Sequence, residues 1–208
     1  MKLYTMPGTC ALAPHIALKW AGLPAEVEVM AHGANRSPEY LRINPNGKVP
    51  ALVLDDGQVL TEAAAILPYV AELAPQARLD GDDPLGRGTV AEALSYMTSE
   101  VHANWQPHFA PQRFLDDEAA FPALKAKTHE RLAANYRDLD RHMSGQDHLV
   151  LDRRTVADTY LYVLARWASL MPGGIEPYQG LARFRATMDR DGGVREALRE
   201  GGHDSGRA

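Results

Sequence analysis

Residues 1–24 read MKLYTMPGTCALAPHIALKWAGLP, and this stretch decides the fold of the first half of the chain. Apolar and polar side chains alternate over residues 1–5, which predicts a strand. Residues 6–9 contain the proline and the glycine of a tight turn. From Cys10 the apolar residues recur at helical spacing until Gly22, a residue type that commonly ends helices. The stretch therefore predicts a strand, a turn and a helix in direct succession.

The one cysteine of the chain, Cys10, is predicted to lie where the strand gives way to the helix. Backbone N–H groups at a helix start are unpaired and carry partial positive charge. A thiol placed there ionises more readily, which favours a nucleophile or a hydrogen-bond acceptor. A small buried side chain is the commoner fate of a free cysteine, and position alone favours that interpretation.

Length and composition limit the class of protein. The chain has 208 residues, enough for one large domain or two small ones. The formal net charge of −5 argues against nucleic acid or an anionic membrane as partner, because both bind basic surfaces. A single cysteine cannot form an internal disulfide, and the sequence shows neither a signal-peptide pattern nor an apolar run of membrane-spanning length. We therefore expect a cytoplasmic protein.

The next fifty residues continue an α/β pattern. Residues 25–30 alternate like the first strand, and because a helix separates the two strands they are predicted to be parallel. Ser37 is typical of a helix N-cap and opens a short helix. Residues 48–54 and 58–61 predict an antiparallel hairpin around an Asp-Gly turn. Pro50 has no N–H for a sheet, so its strand is predicted to start there or to lie at an edge.

A helix over residues 62–73 completes the predicted order β-α-β-α-β-β-α. The segment that follows is rich in Pro, Gly and Asp, and we place an interdomain linker at residues 77–86, between domains 1–76 and 87–200. The second domain is predicted to be all-helical, with a capping box at Thr155 and Asp158. Its helices are predicted over residues 89–105, 116–143, 155–167, 178–188 and 194–200. The polar residues 201–208 are predicted to be a disordered tail.

This arrangement resembles a soluble glutathione transferase, and four motifs carry the resemblance. PGTC at residues 7–10, followed by PHIAL at 14–18, resembles the opening of bacterial beta-class members. NPNGKVPAL at 44–52 resembles the family's NPxGxVPxL segment, and LTEAAAI at 60–66 its glutathione-holding segment. TVAD at 155–158 resembles the helix cap of the second domain. The resemblance implies a thioredoxin-like first domain that binds glutathione.

Site residues in the first half follow from the resemblance. The thiol of Cys10 is expected to approach the glutathione sulfur and to be able to form a mixed disulfide with it. Val49, before a cis-Pro50, would offer its backbone to the cysteinyl part of the tripeptide. Glu62 would accept the γ-glutamyl amine, and the N–H of Ala63 would bind the adjacent carboxylate. Without the resemblance, the favoured interpretation is an ordinary acidic residue of a first helical turn for Glu62 and a strand-edge proline for Pro50.

Further site residues are implied less directly. SEVH at residues 99–102 resembles a segment that lines the family's cleft, so His102 would donate a hydrogen bond to a thiolate or act as an acid. By itself, a histidine near a helix end is more often a dipole partner or a surface residue. Ser95 and Glu100 would be supplied across a dimer interface.

Thr5 stands where the beta class usually has tyrosine, and its hydroxyl is a candidate donor to the thiolate. The basic residue for the glycyl carboxylate is left open among His32, Arg36 and Lys48. Five aromatic residues are candidates for a hydrophobic second-substrate pocket, although core packing is the commoner fate of such residues: Trp105, His108, Phe109, Tyr160 and Trp167.

Two functions stay open on the sequence. The first is a homodimeric transferase that moves the thiolate of glutathione to a small hydrophobic electrophile, with thiol–disulfide exchange at Cys10 as a further option. The second is a glutathione-binding protein with little chemistry, which Thr5 and the alanine at position 103 favour. A metal site is not predicted, because the histidines lack ligand spacing.

Overall fold

The computed structural model describes residues 1–203 of the chain. Within that range the first half holds a sheet of four strands. The strands are β1 (Lys2–Thr5), β2 (Glu26–Val29), β3 (Ala51–Val53) and β4 (Val59–Thr61). Their spatial order is β2-β1-β3-β4. Each strand agrees with a predicted strand and is shorter than it by one to four residues at its ends, where chain reversals begin.

Strand pairing confirms the predicted directions. β1 runs parallel to β2, with Leu3 opposite Val27, and antiparallel to β3, with Leu3 opposite Leu52. β3 and β4 form the predicted antiparallel hairpin. Pro50 directly precedes β3, and the alternative of an edge strand is wrong because β3 is paired on both sides. Pro50 is therefore the last residue of the connection before β3, and it does not interrupt the hydrogen bonds of the strand.

The helices of the described residues surround this sheet and build the second half. Ser37 caps the predicted short helix by accepting the Tyr40 N–H at 3.2 Å. The helices are α1 (Leu12–Ala21), α2 (Pro38–Ile43), α3 (Ala63–Leu73), α4 (Pro84–Tyr96), α5 (Ala103–Phe109), α6 (Phe121–His142), α7 (Val156–Trp167), α8 (Gln179–Met188) and α9 (Gly192–Glu200). Among residues 1–203, none of them is long and apolar enough to cross a bilayer.

Two helix starts, those of α4 and α6, lie about five residues from the predicted positions. α4 begins at Pro84, inside the predicted linker, because Asp83 accepts the Gly86 N–H at 2.7 Å and the proline occupies the first turn. The predicted helix 89–105 also includes a π-helical segment, Met97–His102, between α4 and α5. α6 begins at Phe121, later than predicted, because Asp117 caps a separate 3₁₀ turn first. The cap at Asp83 was not predicted because it lies in a stretch rich in Pro, Gly and Asp, which favours a loop.

The end of the described chain is ordered, contrary to the predicted tail. Gly201 and Gly202 continue from α9 as a turn, and the His203 N–H donates to the Leu198 carbonyl at 2.9 Å. His203 is 4% exposed, so it is a packed side chain. The predicted disorder is therefore wrong for residues 201–203, and residues 204–208 lie outside the described part.

One apolar core joins the two halves. α1 lies against the sheet and contacts α3, α7 and α9. α7 is buried over nearly its whole length, with Arg166 as its partly exposed exception. The apolar faces of α6 and α7 belong to this core. They comprise Leu132, Tyr136 and Leu139 of α6, Met143 just beyond it, and Tyr160, Leu161, Leu164 and Trp167 of α7.

Thr155 and Asp158 take the predicted capping-box positions at the start of α7, where the Asp158 side chain is hydrogen-bonded and the Thr155 hydroxyl has no partner within hydrogen-bond distance among residues 1–203. The fully buried carboxylate of Asp158 accepts the Thr155 N–H at 2.8 Å and the Leu149 N–H at 2.8 Å. Asp158 therefore ties the loop before α7 to the central helix of the core.

We expect Asp158→Ala to lower the free energy of unfolding by about 3 kcal/mol, because hydrogen bonds to a charged acceptor are lost and two buried donors stay unpaired. Urea unfolding measures the change. The control is Asp138→Ala, which removes an exposed carboxylate paired with Arg141 and is expected to cost less than about 1 kcal/mol. Equal losses in the two variants would contradict this role of Asp158.

Candidate functional site

A cleft of about 560 Å³ opens between the sheet-containing half and the helical half. One wall comes from the turn between β1 and α1, the segment before β3 and the start of α3. The other wall comes from the π-helical segment, α5 and α7. The volume lies within the range of small-molecule sites, about 300–1,000 Å³. Its residues are the candidates for binding and chemistry.

The segment before β3 is fixed by side chains of the α2 region. The Lys48 carbonyl accepts the Tyr40 hydroxyl at 2.6 Å and the Asn44 Nδ2 at 2.8 Å. Asn35 donates to the Gly47 carbonyl at 2.6 Å. The peptide bond between Val49 and Pro50 is cis. The backbone at Val49 is therefore presented to the cleft by a rigid support.

Cys10 lines the cleft beside this segment. Its side chain is half-buried, and its Sγ lies 3.9 Å from the Val49 carbonyl oxygen, to which the S–H donates weakly. Cys10 and Val49, both predicted from the sequence to contact glutathione, are thus brought together.

The ionisation of Cys10 differs from the sequence-based prediction. Burial raises the pKa of the Cys10 thiol to about 12, and the negative charge of Glu62 acts in the same direction. A hydrogen bond from the Cys10 backbone and the charge of Lys48 lower the pKa by less. The easier ionisation that a helix start would give is not found here, because desolvation outweighs it and α1 begins only at Leu12. Cys10 is therefore a protonated hydrogen-bond donor at neutral pH.

Glu62 and Ala63 lie at the start of α3 and both line the cleft. Glu62 is exposed and has φ 65° and ψ 121°, a conformation that only glycine adopts easily. Such strain costs about 1–3 kcal/mol and concentrates at ligand sites. The first N–H groups of a helix lack intrahelical partners, so the N–H of Ala63 is suited to an anion.

His102 faces this wall from the helical half. Its Nδ1 lies 2.5 Å from the Tyr160 hydroxyl, and its ring meets the edge of Trp167 at a centroid distance of 4.9 Å. Burial lowers the pKa of His102 to about 4, and the charge of Lys48 acts in the same direction. The imidazole is therefore neutral at pH 7 and has one donor and one acceptor nitrogen. Since Tyr160 engages Nδ1, the Nε2 is the nitrogen available to a ligand.

The five aromatic residues considered for the second-substrate pocket fall into two groups. Phe109, Tyr160 and Trp167 line the cleft, and Phe109 is 46% exposed. Trp105 lies behind them, fully buried, with its Nε1 donating to the Tyr136 hydroxyl at 3.1 Å. His108 pairs with His129 of α6 at 3.0 Å and does not line the cleft. The predicted pocket roles of Trp105 and His108 are therefore wrong, because these two residues face the core and α6.

Other predicted residues lie away from the cleft. Thr5 is fully buried at the end of β1 and does not line the cleft, and its Oγ1 has no hydrogen-bond partner among residues 1–203. Arg36, Ser95 and Glu100 are exposed and do not line the cleft of this chain. Of the three basic candidates, His32 and Lys48 do line it.

On the helical wall of the cleft, three polar residues were not predicted from the sequence, namely Thr98, Gln106 and Arg113. The signal for two of them was present, since Thr98, His102 and Gln106 recur every fourth residue and so share one helical face. Arg113 follows α5 in a 3₁₀ turn, and nothing in its local sequence indicates the cleft.

Because only the thiolate reacts with alkylating reagents, we expect the rate of Cys10 alkylation to rise roughly tenfold per pH unit between about pH 7 and about pH 10 without a plateau. Iodoacetamide labelling followed by intact mass measures it, and the chain has no second cysteine to confuse the signal. A plateau below about pH 8 would instead demonstrate the acidic thiol of a helix terminus.

Comparison with known proteins places this geometry in a family. The family model described as the glutathione S-transferase N-terminal domain matches residues 8–73. The chain is 36% identical to glutathione S-transferase GST-4.5 of Xanthomonas campestris, over 97% of its own length and 99% of that protein.

Solved structures agree over both halves. A sphingomonad glutathione S-transferase complexed with glutathione is 34% identical, with a TM-score of 0.86 over 97% of this chain and 99% of that one. The beta-class glutathione S-transferase of Sphingomonas chungbukensis is 31% identical, with a TM-score of 0.88 over 98% of this chain and 100% of that one. The resemblance and the fold predicted from the sequence motifs are confirmed. The chain belongs to the glutathione S-transferase family.

Proposed function

We propose that this protein binds glutathione in the cleft and transfers its thiolate to a small hydrophobic electrophile. The observation that carries the proposal is the position of Cys10, whose sulfur lies 3.9 Å from the Val49 carbonyl on one wall, with His102 on the other wall of the same cleft. The sphingomonad relative, complexed with glutathione, supports the choice of ligand.

The tripeptide would lie along the wall formed by the sheet-containing half. Val49 would pair its backbone with the cysteinyl residue, as an added strand does. Glu62 would accept the γ-glutamyl amine, and the N–H of Ala63 would bind the neighbouring carboxylate at the start of α3. Lys48 is the preferred partner of the glycyl carboxylate, because it lines the cleft and an ammonium group forms charge-assisted hydrogen bonds with a carboxylate. Arg36 lies outside the cleft and is not part of this proposal.

The transfer step would depend on stabilising the glutathione thiolate. The protonated thiol of Cys10 and the Nε2–H of neutral His102 would both donate to the sulfur, and donors to the charged form lower the pKa of a thiol. The thiolate lone pair then forms a carbon–sulfur bond to the electrophile, while the leaving group departs with its own electron pair. Phe109 and Trp167 would hold the apolar body of that electrophile beside the sulfur.

Thiol–disulfide exchange is the second candidate function, and the presence of the only cysteine of the chain in the cleft favours it. Exchange requires a thiolate on the attacking side, and the raised pKa of Cys10 argues for slow attack by this residue. Incubation with oxidised glutathione separates the two functions. A mass gain of one glutathionyl group within the time of a turnover, absent in Cys10→Ala, supports exchange over transfer.

The assembly and location are proposed on the family resemblance. We propose a homodimer in which Ser95 and Glu100 are supplied to the partner's cleft, since both are exposed. Leu85, 80% exposed at the start of α4, is an apolar side chain that a partner subunit would cover. We further propose a cytoplasmic location.

We expect Cys10→Ala to lower kcat/KM for glutathione and an aryl halide by about 10- to 100-fold, the value of one hydrogen bond to a charged acceptor. Cys10→Ser keeps a donor at the same position and is expected to lose less than Cys10→Ala. Steady-state kinetics over a range of pH measure both, and the apparent pKa of the bound thiol is expected to rise in Cys10→Ala. Unchanged kinetics and an unchanged pH profile would remove Cys10 from the mechanism.

Glu62→Gln is expected to raise the dissociation constant of glutathione by about 10- to 100-fold, because the charge-assisted bond to the amine is lost. Calorimetric titration measures the affinity. Glu72→Gln, at an exposed position near the other end of the same helix, is the matched control and is expected to bind as tightly as the wild type. A similar affinity in both variants would place the γ-glutamyl amine elsewhere.

A further inference from the structure

Gly8, in the turn between β1 and α1, is held by two side chains from distant parts of the chain. The Trp167 Nε1 donates to the Gly8 carbonyl at 3.0 Å. The Gly8 N–H donates to the His203 Nδ1 at 3.2 Å. Gly8 has φ +77°, so its two peptide groups take an orientation that L side chains rarely adopt. Both polar groups of one glycine, two residues before Cys10, are thereby fixed.

His203 is itself fixed in place. Its N–H donates to the Leu198 carbonyl at 2.9 Å, and its carbonyl accepts Arg166 Nη2 at 3.4 Å. A Cβ on Gly201 would stand 2.6 Å from the His203 Cδ2, so the glycine is required for this close approach. The imidazole is 4% exposed, which is unusual for the end of a polar, glycine-rich segment.

The proton state of His203 suits an acceptor. Burial lowers the pKa of His203 to about 4, and the charged and titratable groups that face it, Arg166 and His15, act in the same direction. A neutral imidazole that accepts at Nδ1 holds its proton on Nε2. The bond to Gly8 is therefore present throughout the neutral pH range.

We propose that His203 is a positioning residue that, through the Gly8 N–H, holds the turn of residues 7–10 against Trp167 and so fixes the Cys10 sulfur in the cleft. Trp167 contributes both to the cleft and to the support of the turn, since its ring lines the cleft and its Nε1 donates to the Gly8 carbonyl. The segment after α9 thus positions residues of the cleft without contacting a ligand itself. The catalytic part of this inference rests on the proposed function, whereas the effect on the Cys10 thiol does not.

The test compares two substitutions at position 203. His203→Leu removes the acceptor, and His203→Asn places an amide oxygen close to where Nδ1 stood, so it is the conservative variant expected to restore the bond. The first readout is the rate of iodoacetamide labelling of Cys10 at a fixed alkaline pH, which reports the turn without any substrate. The second is kcat and KM for glutathione with an aryl halide.

We expect labelling in His203→Leu to be about fivefold to tenfold faster than in the wild type, because the released turn exposes the thiol, and kcat to fall by about tenfold. His203→Asn is expected to stay within about twofold of the wild type in both readouts. Equal effects of the two variants, or wild-type labelling in folded His203→Leu, would overturn the proposal.

Two further results keep the interpretation unambiguous. If His203→Leu does not fold, Trp167→Phe, which keeps a ring and removes the donor to Gly8, is expected to accelerate labelling, and unchanged labelling would overturn the proposal. If the wild type binds no glutathione, the proposed function fails while the labelling comparison still decides the role of His203.

Discussion

The burial of the Cys10 thiol against the Val49 carbonyl is the constraint on which the chemistry of this site depends. Removing the sulfur from water raises its pKa by more than the neighbouring Lys48 or the helix terminus lowers it. The thiol consequently stays protonated, and it lines the cleft as a donor that bonds weakly to the Val49 carbonyl. A glutathione thiolate placed there would meet two donors, the Cys10 S–H and the Nε2–H of a His102 that burial keeps neutral. The protein would thus stabilise a charge on the ligand by keeping its own groups uncharged.

Rigid supports on both sides of the cleft make that arrangement possible. On the sheet side, Tyr40 and Asn44 hold the Lys48 carbonyl and thereby the backbone before Pro50. On the helical side, α7 is buried along nearly its whole length and supplies Tyr160 and Trp167. The two sides meet at Gly8, whose carbonyl and N–H are bonded to Trp167 and His203. The position of one sulfur therefore depends on contacts between residues more than 150 positions apart in the chain.

The sequence was informative where the cause of a structure is local. Alternation, the Ser37 cap, the Asp-Gly turn and the capping box at Asp158 each act within a few residues, and all were predicted. The motifs also placed Cys10, Val49, Glu62, Ala63 and His102 around one cleft, as the structure does. Predictions were wrong where packing between distant segments decides. The burial of Thr5, the assignment of Trp105 to the core and Phe109 to the cleft, and the ordered His203 all depend on neighbours that no local pattern reveals. The pKa of Cys10 belongs to the same group, because desolvation is a property of the assembled walls.

The central claim is that Cys10 acts as a protonated donor toward the glutathione sulfur, and ultraviolet thiolate absorption tests it most directly. The spectrum is recorded at neutral pH for the wild type and for Cys10→Ala, each with and without saturating glutathione. The account predicts no thiolate band in either free protein, a band on adding glutathione to the wild type, and a weaker band in Cys10→Ala. A neutral-pH thiolate band in the free wild type that disappears in Cys10→Ala would contradict it.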